Sequence, residues 1–447
     1  MDEIKRFENH AHTAMGSNIR LIDSINTIDG LLTTAYSKGY AGLAFTDHEF
    51  VGNAVKVLLT EKELKEKGKI SKDFKVGLGN EIYLTDTRDK TQIEKYFHFL
   101  LIAKNARGHE ALRKLSSIAW YNSFEDRRMC RVPTLKKELA QIVAEYPNTL
   151  IATSACIGGE TAYAFEEKDW PRLNAFMDYC LKLFGDDFYL EMAPAEYPDQ
   201  IRYNKFLLEL SREKGIKLTI GTDAHYATEN DRYMHKSFLN SKDGARETDD
   251  FYAYTYLMSN EEVAKHMSYL SPEILHQCFQ NSVEIMNKIE GYDIFRKQII
   301  PKEPLPEYPK GNYPYITKDN YPQLRAYLDD SDVQNCYWAN ECMSTMEREG
   351  WNKKPIYMQR LEEEAEVLAT ISEKLEDDMT AYHNTLKQYI DMFWECGSIV
   401  GPGRGSSCGF LSNRCLGITQ LDPVQWHLPY WRYLNKERIE IGDIDID

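Results

Sequence analysis

Gly42-Leu43-Ala44-Phe45-Thr46-Asp47-His48 is the stretch that decides the fold: an apolar run of strand length that stops on an acid and an imidazole. The pattern recurs through the first half of the chain. Residues 75–79 run apolar toward Glu81, residues 150–154 toward Cys156, and residues 217–222 into Asp223-Ala224-His225. Residues 6–9 lead into His10-Ala11-His12, His98 sits inside the run 97–103, and residues 188–192 form a further run. Amphipathic stretches at 27–38, 109–119 and 170–184 lie between them. Short apolar runs alternating with helix-period segments predict a parallel sheet or an α/β barrel. In such a barrel the C-terminal strand ends converge on one rim. An H-x-H on an extended chain puts both imidazoles on one face, and D-x-H does the same for an acid and an imidazole. Imidazole, carboxylate and a thiolate suit zinc, manganese or iron. One histidine or cysteine at a strand end is more commonly a packed residue. Five of the eleven histidines occupy these positions, however, and together they point to a metal cluster. His109, His235, His266, His276, His383 and His427 lack such placement and are read as structural.

The whole chain has 447 residues, enough for two to four domains at roughly 100–200 residues each. Hydrophobic residues make up 43% and charged residues 28%, an ordinary globular balance that excludes a disordered chain or a coiled-coil rod. No apolar run is long enough to predict a transmembrane helix, so no membrane partner is expected. Met1-Asp2-Glu3-Ile4-Lys5-Arg6 is charged and lacks an apolar signal core, which predicts a cytoplasmic protein. A net charge of −16 excludes a wholly basic nucleic-acid-coating protein, but not an enzyme that grips DNA through one local groove. Nine scattered cysteines without a signal peptide read as reduced thiols.

A helical region is predicted over 260–289, followed by a Pro/Tyr-rich connector at 300–321. Further on, Leu361, Ala365, Leu368, Ile371 and Leu375 share one helix face, leaving Glu362, Glu363, Glu366 and Glu373 as a solvated acidic face. A second helix is predicted over 382–396. Gly401-Pro402-Gly403-Arg404-Gly405-Ser406-Ser407 then offers free amides, a guanidinium and two hydroxyls, which suits a polyphosphate. It lacks the P-loop pattern. In Asp443-Ile444-Asp445-Ile446-Asp447 the acids alternate with isoleucine, so on a strand all three carboxylates face one side. Such a row repels itself unless cations neutralise it, and two Mg²⁺ ions are the natural solution.

Several of these stretches resemble a known family. His10-Ala11-His12-Thr13, Phe45-Thr46-Asp47-His48, Gly79-Asn80-Glu81-Ile82-Tyr83, Ser154-Ala155-Cys156-Ile157-Gly158-Gly159 and Thr222-Asp223-Ala224-His225-Tyr226 are similar to the PHP (polymerase and histidinol phosphatase) domain of bacterial DNA polymerase III alpha subunits. The loop 400–407 and the stretches 416–423 and 432–438 resemble the palm of the same family. The resemblance implies a distorted seven-stranded α/β barrel of the PHP type, then a helical region and a partial α+β palm. It implies a PHP barrel with a helical C-terminal part over 1–285, a connector over 286–325 and the first part of the palm over 326–447. Carried over, the PHP metal ligands are His10, His12, Asp23, His48, Glu81, His98, Cys156, Asp223 and His225, for up to three ions of Zn²⁺ or Mn²⁺, with Asp47 supporting His48. Whether that site hydrolyses phosphodiesters as a 3′–5′ exonuclease or is a metal staple stays open. In the palm, Arg404, Gly405 and Ser406 are implied for nucleotide phosphates, Arg432 and Arg438 for nucleotide or primer, and Asp445 and Asp447 for catalytic Mg²⁺, with Asp443 a flanking acid.

Residues 408–415 and Gly442 depart from the family pattern, pointing to a divergent, phage-encoded member. The implied partners are primer–template DNA, deoxynucleoside triphosphates and a proofreading exonuclease subunit, in a bacterial or phage-infected cell. The family's third catalytic carboxylate, thumb and fingers lie further along. The expectation is therefore a shortened chain, or a gene split at an intein insertion point whose C-terminal polymerase fragment completes the palm. Two other functions compete: a free-standing PHP metal phosphoesterase, and a non-catalytic scaffold for a proofreading exonuclease.

Overall fold

Each apolar run of the first half becomes a strand buried on both sides, which is why these runs read as continuous rather than alternating. In chain order the strands are β1 (Phe7–Glu8), β2 (Gly42–Phe45), β3 (Lys75–Thr85), β4 (Phe97–Ala103), β5 (Phe124–Asp126), β6 (Met129–Arg131), β7 (Pro133–Leu135), β8 (Leu150–Thr153), β9 (Phe188–Met192) and β10 (Lys217–Ile220). The computed structural model describes residues 4–19, 22–126, 129–241, 250–308 and 310–446. It divides into two compact units, Met1–Phe295 and Arg296–Asp447, and the division falls inside residues 286–325.

In the first unit the sheet order is β1-β2-β3-β4-β8-β9-β10, with β7 added beside β3. Just past its two edge strands, a parallel bridge between Ala11 and Ala224 brings the sheet round into a nearly closed seven-strand barrel. The expected all-parallel arrangement needs one correction: β4 runs antiparallel to both β3 and β8. Being reversed, β4 starts at the rim where its neighbours end, so His98 near its start reaches the same mouth. Its side chains alternate as a pleated strand requires. Phe99 and Leu101 join the layer under the helices, while Leu100 and Ile102 join a second cluster with Phe7, Ala44 and Ile151. His98 lies in register with that second set. β3 also outruns its expected end and carries Glu81 mid-strand. The helical stretch 260–289 is two helices, Asn260–His266 and Pro272–Asn287, because Ser271 caps the second and Pro272 cannot continue the first. β5 and β6 form a separate two-stranded hairpin.

The second unit is built from the helices Pro322–Leu328, Val333–Arg348, Pro355–Leu375 and Met379–Glu395 and the short Leu411–Cys415. Trp338, Met343, Leu361, Leu368, Phe410 and Leu434 share its core. The α+β expectation is met only in its helical part: among the described residues no strand is formed there, only isolated bridges. A lone extended segment has no ladder to join, and pairs of short strands are marginal without a supporting sheet. The acidic face is corrected at Glu362, which is 7% exposed. Its carboxylate accepts the amides of Gln323 and Leu324 at 2.7 and 3.0 Å, capping the helix Pro322–Leu328.

Candidate functional site

The barrel mouth brings together every residue expected of the metal cluster. Glu81 is its hub: Oε2 lies 3.4 Å from His10 Nε2, 3.4 Å from His12 Nε2 and 2.8 Å from His48 Nδ1, while Oε1 lies 2.9 Å from His98 Nδ1. Asp223 Oδ1 is 3.3 Å from His10 Nε2, 3.0 Å from His12 Nε2 and 3.5 Å from His225 Nδ1. Asp23 Oδ2 sits 3.0 Å from both His48 Nε2 and His225 Nε2. Cys156 Sγ completes the set at 3.5 Å from His98 Nδ1. Three overlapping groups, His12/His48/His225, His10/His12/Asp223 and His48/Glu81/His98, each keep their donor atoms within 4.8 Å of one another.

The set fits metal ions. At zinc–ligand bonds of about 2.0–2.2 Å, donors around one tetrahedral ion stand about 3.3 Å apart, close to the separations here. His10 Nε2 is buried without a hydrogen-bond partner, as a donor aimed at an ion would be. The electrostatics agree. Burial, then the neighbouring His48, drives His12 down to about 3, leaving it neutral with a lone pair to give. Burial opposes charge on Glu81, yet His98, His10 and His48 hold its carboxyl well below the usual range. Burial, with Asp223 and Glu81 nearby, pushes the Cys156 thiol well up, so a thiolate there needs a cation beside it.

The supporting residues differ from the expectation. Asp47 reaches the His48 backbone rather than its ring, through Ser17 Oγ, which accepts the His48 amide at 3.3 Å. Its Oδ1 accepts Ser17 Oγ at 2.9 Å, and Ser17 Oγ stands 3.1 Å from His12 Nδ1, so Asp47 acts on His12 through Ser17. D-x-H shares one face only on extended backbone, and Asp223 is left-handed at φ +49°. The preceding β10 and the Ala11–Ala224 bridge still deliver both side chains to the mouth. Two residues were missed. Glu191 on β9 accepts His10 Nδ1–H at 2.5 Å, and its other oxygen accepts Asn9 Nδ2 at 2.8 Å and Thr153 Oγ1 at 2.6 Å. Position 221 must be glycine, since a Cβ there would lie 2.4 Å from Glu191 Oε1. His235, read as structural, donates Nε2–H to the Asp23 carbonyl at 2.6 Å and so braces that loop.

In the second unit the glycine loop meets the terminal acidic stretch. Arg404 and Asp445 form an antiparallel bridge, with Arg404 Nη2 3.6 Å from Asp445 Oδ1. Gly405 is left-handed at φ +72°, a conformation that favours glycine, and its missing side chain leaves Asp445 Oδ2 room. Ser406 opens the 3₁₀ turn Ser406–Gly409. Residues 443–446 are not the expected strand beyond that one bridge, although Asp443 and Asp445 are exposed while Ile444 and Ile446 are half-buried. Tyr382 donates its hydroxyl to the Gly442 carbonyl at 2.9 Å and anchors the stretch. Arg432 is exposed at the end of the turn Tyr430–Arg432, and Arg438 is engaged by Glu440 at 2.5 Å. Asp447 lies outside the described residues.

Comparison with known proteins follows the same division. Residues 8–195 match the PHP domain, and residues 336–447 match the bacterial DNA polymerase III alpha NTPase domain. The DNA-directed DNA polymerase of Bacillus phage SPbeta is 38% identical over 472 residues, covering 98% of this chain and 36% of that relative. The DNA polymerase III subunit alpha of Aquifex aeolicus is 28% identical over 460 residues, again covering 98% of this chain and 36% of the relative. The chain thus spans about a third of the length of these curated relatives. A solved histidinol phosphate phosphatase from Lactococcus lactis, complexed with zinc, L-histidinol and phosphate, aligns with TM-score 0.27 and 16% identity over 53% of this chain and 93% of that one. No helix among the described residues is long and apolar enough to cross a membrane.

Proposed function

Because the chain carries a PHP domain followed by a stretch of the bacterial DNA polymerase III alpha NTPase domain, we propose that it is the N-terminal part of a DNA-directed DNA polymerase. It acts on primer–template DNA and deoxynucleoside triphosphates in the cytoplasm of a bacterial or phage-infected cell. The observation that carries this reading is the bridge between Arg404 and Asp445, which sets a guanidinium and a carboxylate side by side at the glycine loop. The amides of Gly405 and Ser406, with Arg404, bind triphosphate oxygens. Arg432 and Arg438 contact nucleotide or primer. Asp445 and Asp447 would hold Mg²⁺, which when bound supplies charge neutralisation for in-line phosphoryl transfer. A C-terminal polymerase fragment supplies the remaining carboxylate and the rest of the DNA grip, and a proofreading exonuclease subunit is a further partner.

The barrel is the second centre, a metal-dependent phosphoesterase acting as a 3′–5′ exonuclease. His10, His12, Asp23, His48, Glu81, His98, Cys156, Asp223 and His225 would hold up to three Zn²⁺ or Mn²⁺ ions. Bound metal supplies a hydroxide nucleophile near neutral pH and polarises the phosphoryl oxygens. The chain's part is orientation: Glu191 fixes the His10 ring, Ser17 the His12 ring and the Asp223 carbonyl the His225 ring at 2.7 Å.

The test is reconstitution. Primer extension is expected only when this chain is mixed with a polypeptide matching the remaining length of the phage relative, and it is lost in Asp445→Ala and Asp447→Ala. Extension by either polypeptide alone would defeat the proposal. A free-standing phosphoesterase would keep its whole activity in both variants, and a scaffold would show neither activity.

A further inference from the structure

Above the donor set the barrel mouth opens into a cavity of about 510 Å³. That is within the roughly 300–1,000 Å³ of small-ligand sites. The floor is the metal cluster, but the walls are different in chemistry. They carry the cations Lys90, Lys95 and Arg131 and the rings Tyr83, Tyr96 and Tyr252, none of them in the donor set. Two carboxylates share the wall. Glu94 is engaged by Arg172 Nη1 at 2.5 Å and Tyr163 Oη at 2.7 Å, and Asp126 Oδ2 stands 4.0 Å from Arg131 Nε. The Arg131 guanidinium lies over the Tyr96 ring at 4.7 Å, and its buried Nε has no hydrogen-bond partner. Lys90 Nζ lies over Phe124 at 4.5 Å and donates to the Glu125 carbonyl at 3.0 Å. These two cation–π contacts join the loop carrying Lys90 and Tyr96 to the β5–β6 hairpin, so the wall is assembled in advance.

Resting on the phosphoesterase reading of the barrel, we propose that Arg131 and Tyr96 are the specificity-determining pair that seats the last nucleotide of a single DNA strand over the donor cluster. The Arg131 fork takes the phosphate beside the scissile bond, a planar bidentate match that a stacked guanidinium keeps oriented. The tyrosine rings offer the base a stacking face, which a small phosphomonoester would leave unused.

The test uses the full chain loaded with Mn²⁺, with three readouts: metal content, turnover of bis(p-nitrophenyl) phosphate, and fluorescence anisotropy of labelled dT₄ across a salt series. Arg131→Ala is expected to weaken dT₄ binding about tenfold and to lower the log–log salt slope by about 0.7, the value for one phosphate contact on a single strand. Tyr96→Ala is expected to weaken it about five- to tenfold with the slope unchanged, the loss of one stacked base. Both keep metal content. If Arg131→Ala does not fold, Arg131→Gln must show the same change of slope. Wild-type dT₄ affinity and slope in these variants would overturn the seat while leaving the phosphoesterase reading intact. Absent small-ester turnover in the wild type, together with weakened dT₄ binding in the variants, would overturn the phosphoesterase reading and keep the seat.

Discussion

One hydrogen bond, from His10 Nδ1–H to Glu191, decides which nitrogen of that imidazole faces Glu81 and Asp223. Removing it in Glu191→Ala should lower metal affinity by about 10–100-fold, with Glu191→Gln in between. Competition against a chelator measures this, and unchanged affinity would remove Glu191 from the centre. His48, Glu81, Cys156, Asp223 and His225 were legible because they follow the ends of apolar runs, and His10 and His12 because they pair at H-x-H spacing, whereas Asp23 came only from the family resemblance. Glu191 was not legible, because inside such a run it passes for an ordinary pleat position. His235 was equally hidden, since its partner is a carbonyl 212 residues away in the chain. Glu364 gives the second unit a pH signature. Burial raises its carboxyl to about 7, against the Ser412 and Leu411 amides and Arg360. The folded state therefore keeps a proton that the unfolded chain, at the ordinary 4.5, has released. That stability is full below about pH 4.5 and is lost as pH rises through about 7. The melting temperature of the second unit should fall between about pH 5 and 8, and Glu364→Gln should flatten the fall. A melt equally pH-dependent in that variant would contradict the assignment.

At the level of elements, the strands made of apolar runs were readable, while β5, β6 and β7 and the strand directions were not. The runs 97–103 and 188–192 match β4 and β9 residue for residue, because apolar strand-length runs bounded by polar residues have few other uses. The reversal of β4 left no trace in its periodicity, since pairing direction depends on distant partners. The acidic stretch failed as a strand for a related reason: alternation describes which faces are wet, but a strand also needs a neighbour. β4 supplies a stability test. Phe99 is fully buried, with ring centroids 6.0 Å from Phe176, 6.0 Å from Phe184 and 6.3 Å from Phe188. Phe99→Ala should cost about 3–5 kcal/mol in denaturant unfolding of the first unit. A loss under about 1 kcal/mol would mean that this core can collapse into the gap.

Over the whole molecule, the two units have separate cores, and the described residues place a metal-donor set only in the first. An ion that binds the folded barrel alone stabilises it by mass action. Calorimetry with and without EDTA should therefore shift the transition of the first unit downward and leave the second in place. Equal shifts in both would mean that the units melt as one. The barrel closes through Ala11 and Ala224, and its donors run from His10 to His225, so the centre joins residues 215 positions apart that are close in space only at the end. Contacts so distant in sequence form late. A ribosome must deliver His225 before the pocket it shares with His10 exists at all. Metal uptake is therefore a readout of synthesis having passed the last strand of the barrel, and a nascent chain stalled before it would leave the ribosome unable to load its cofactor.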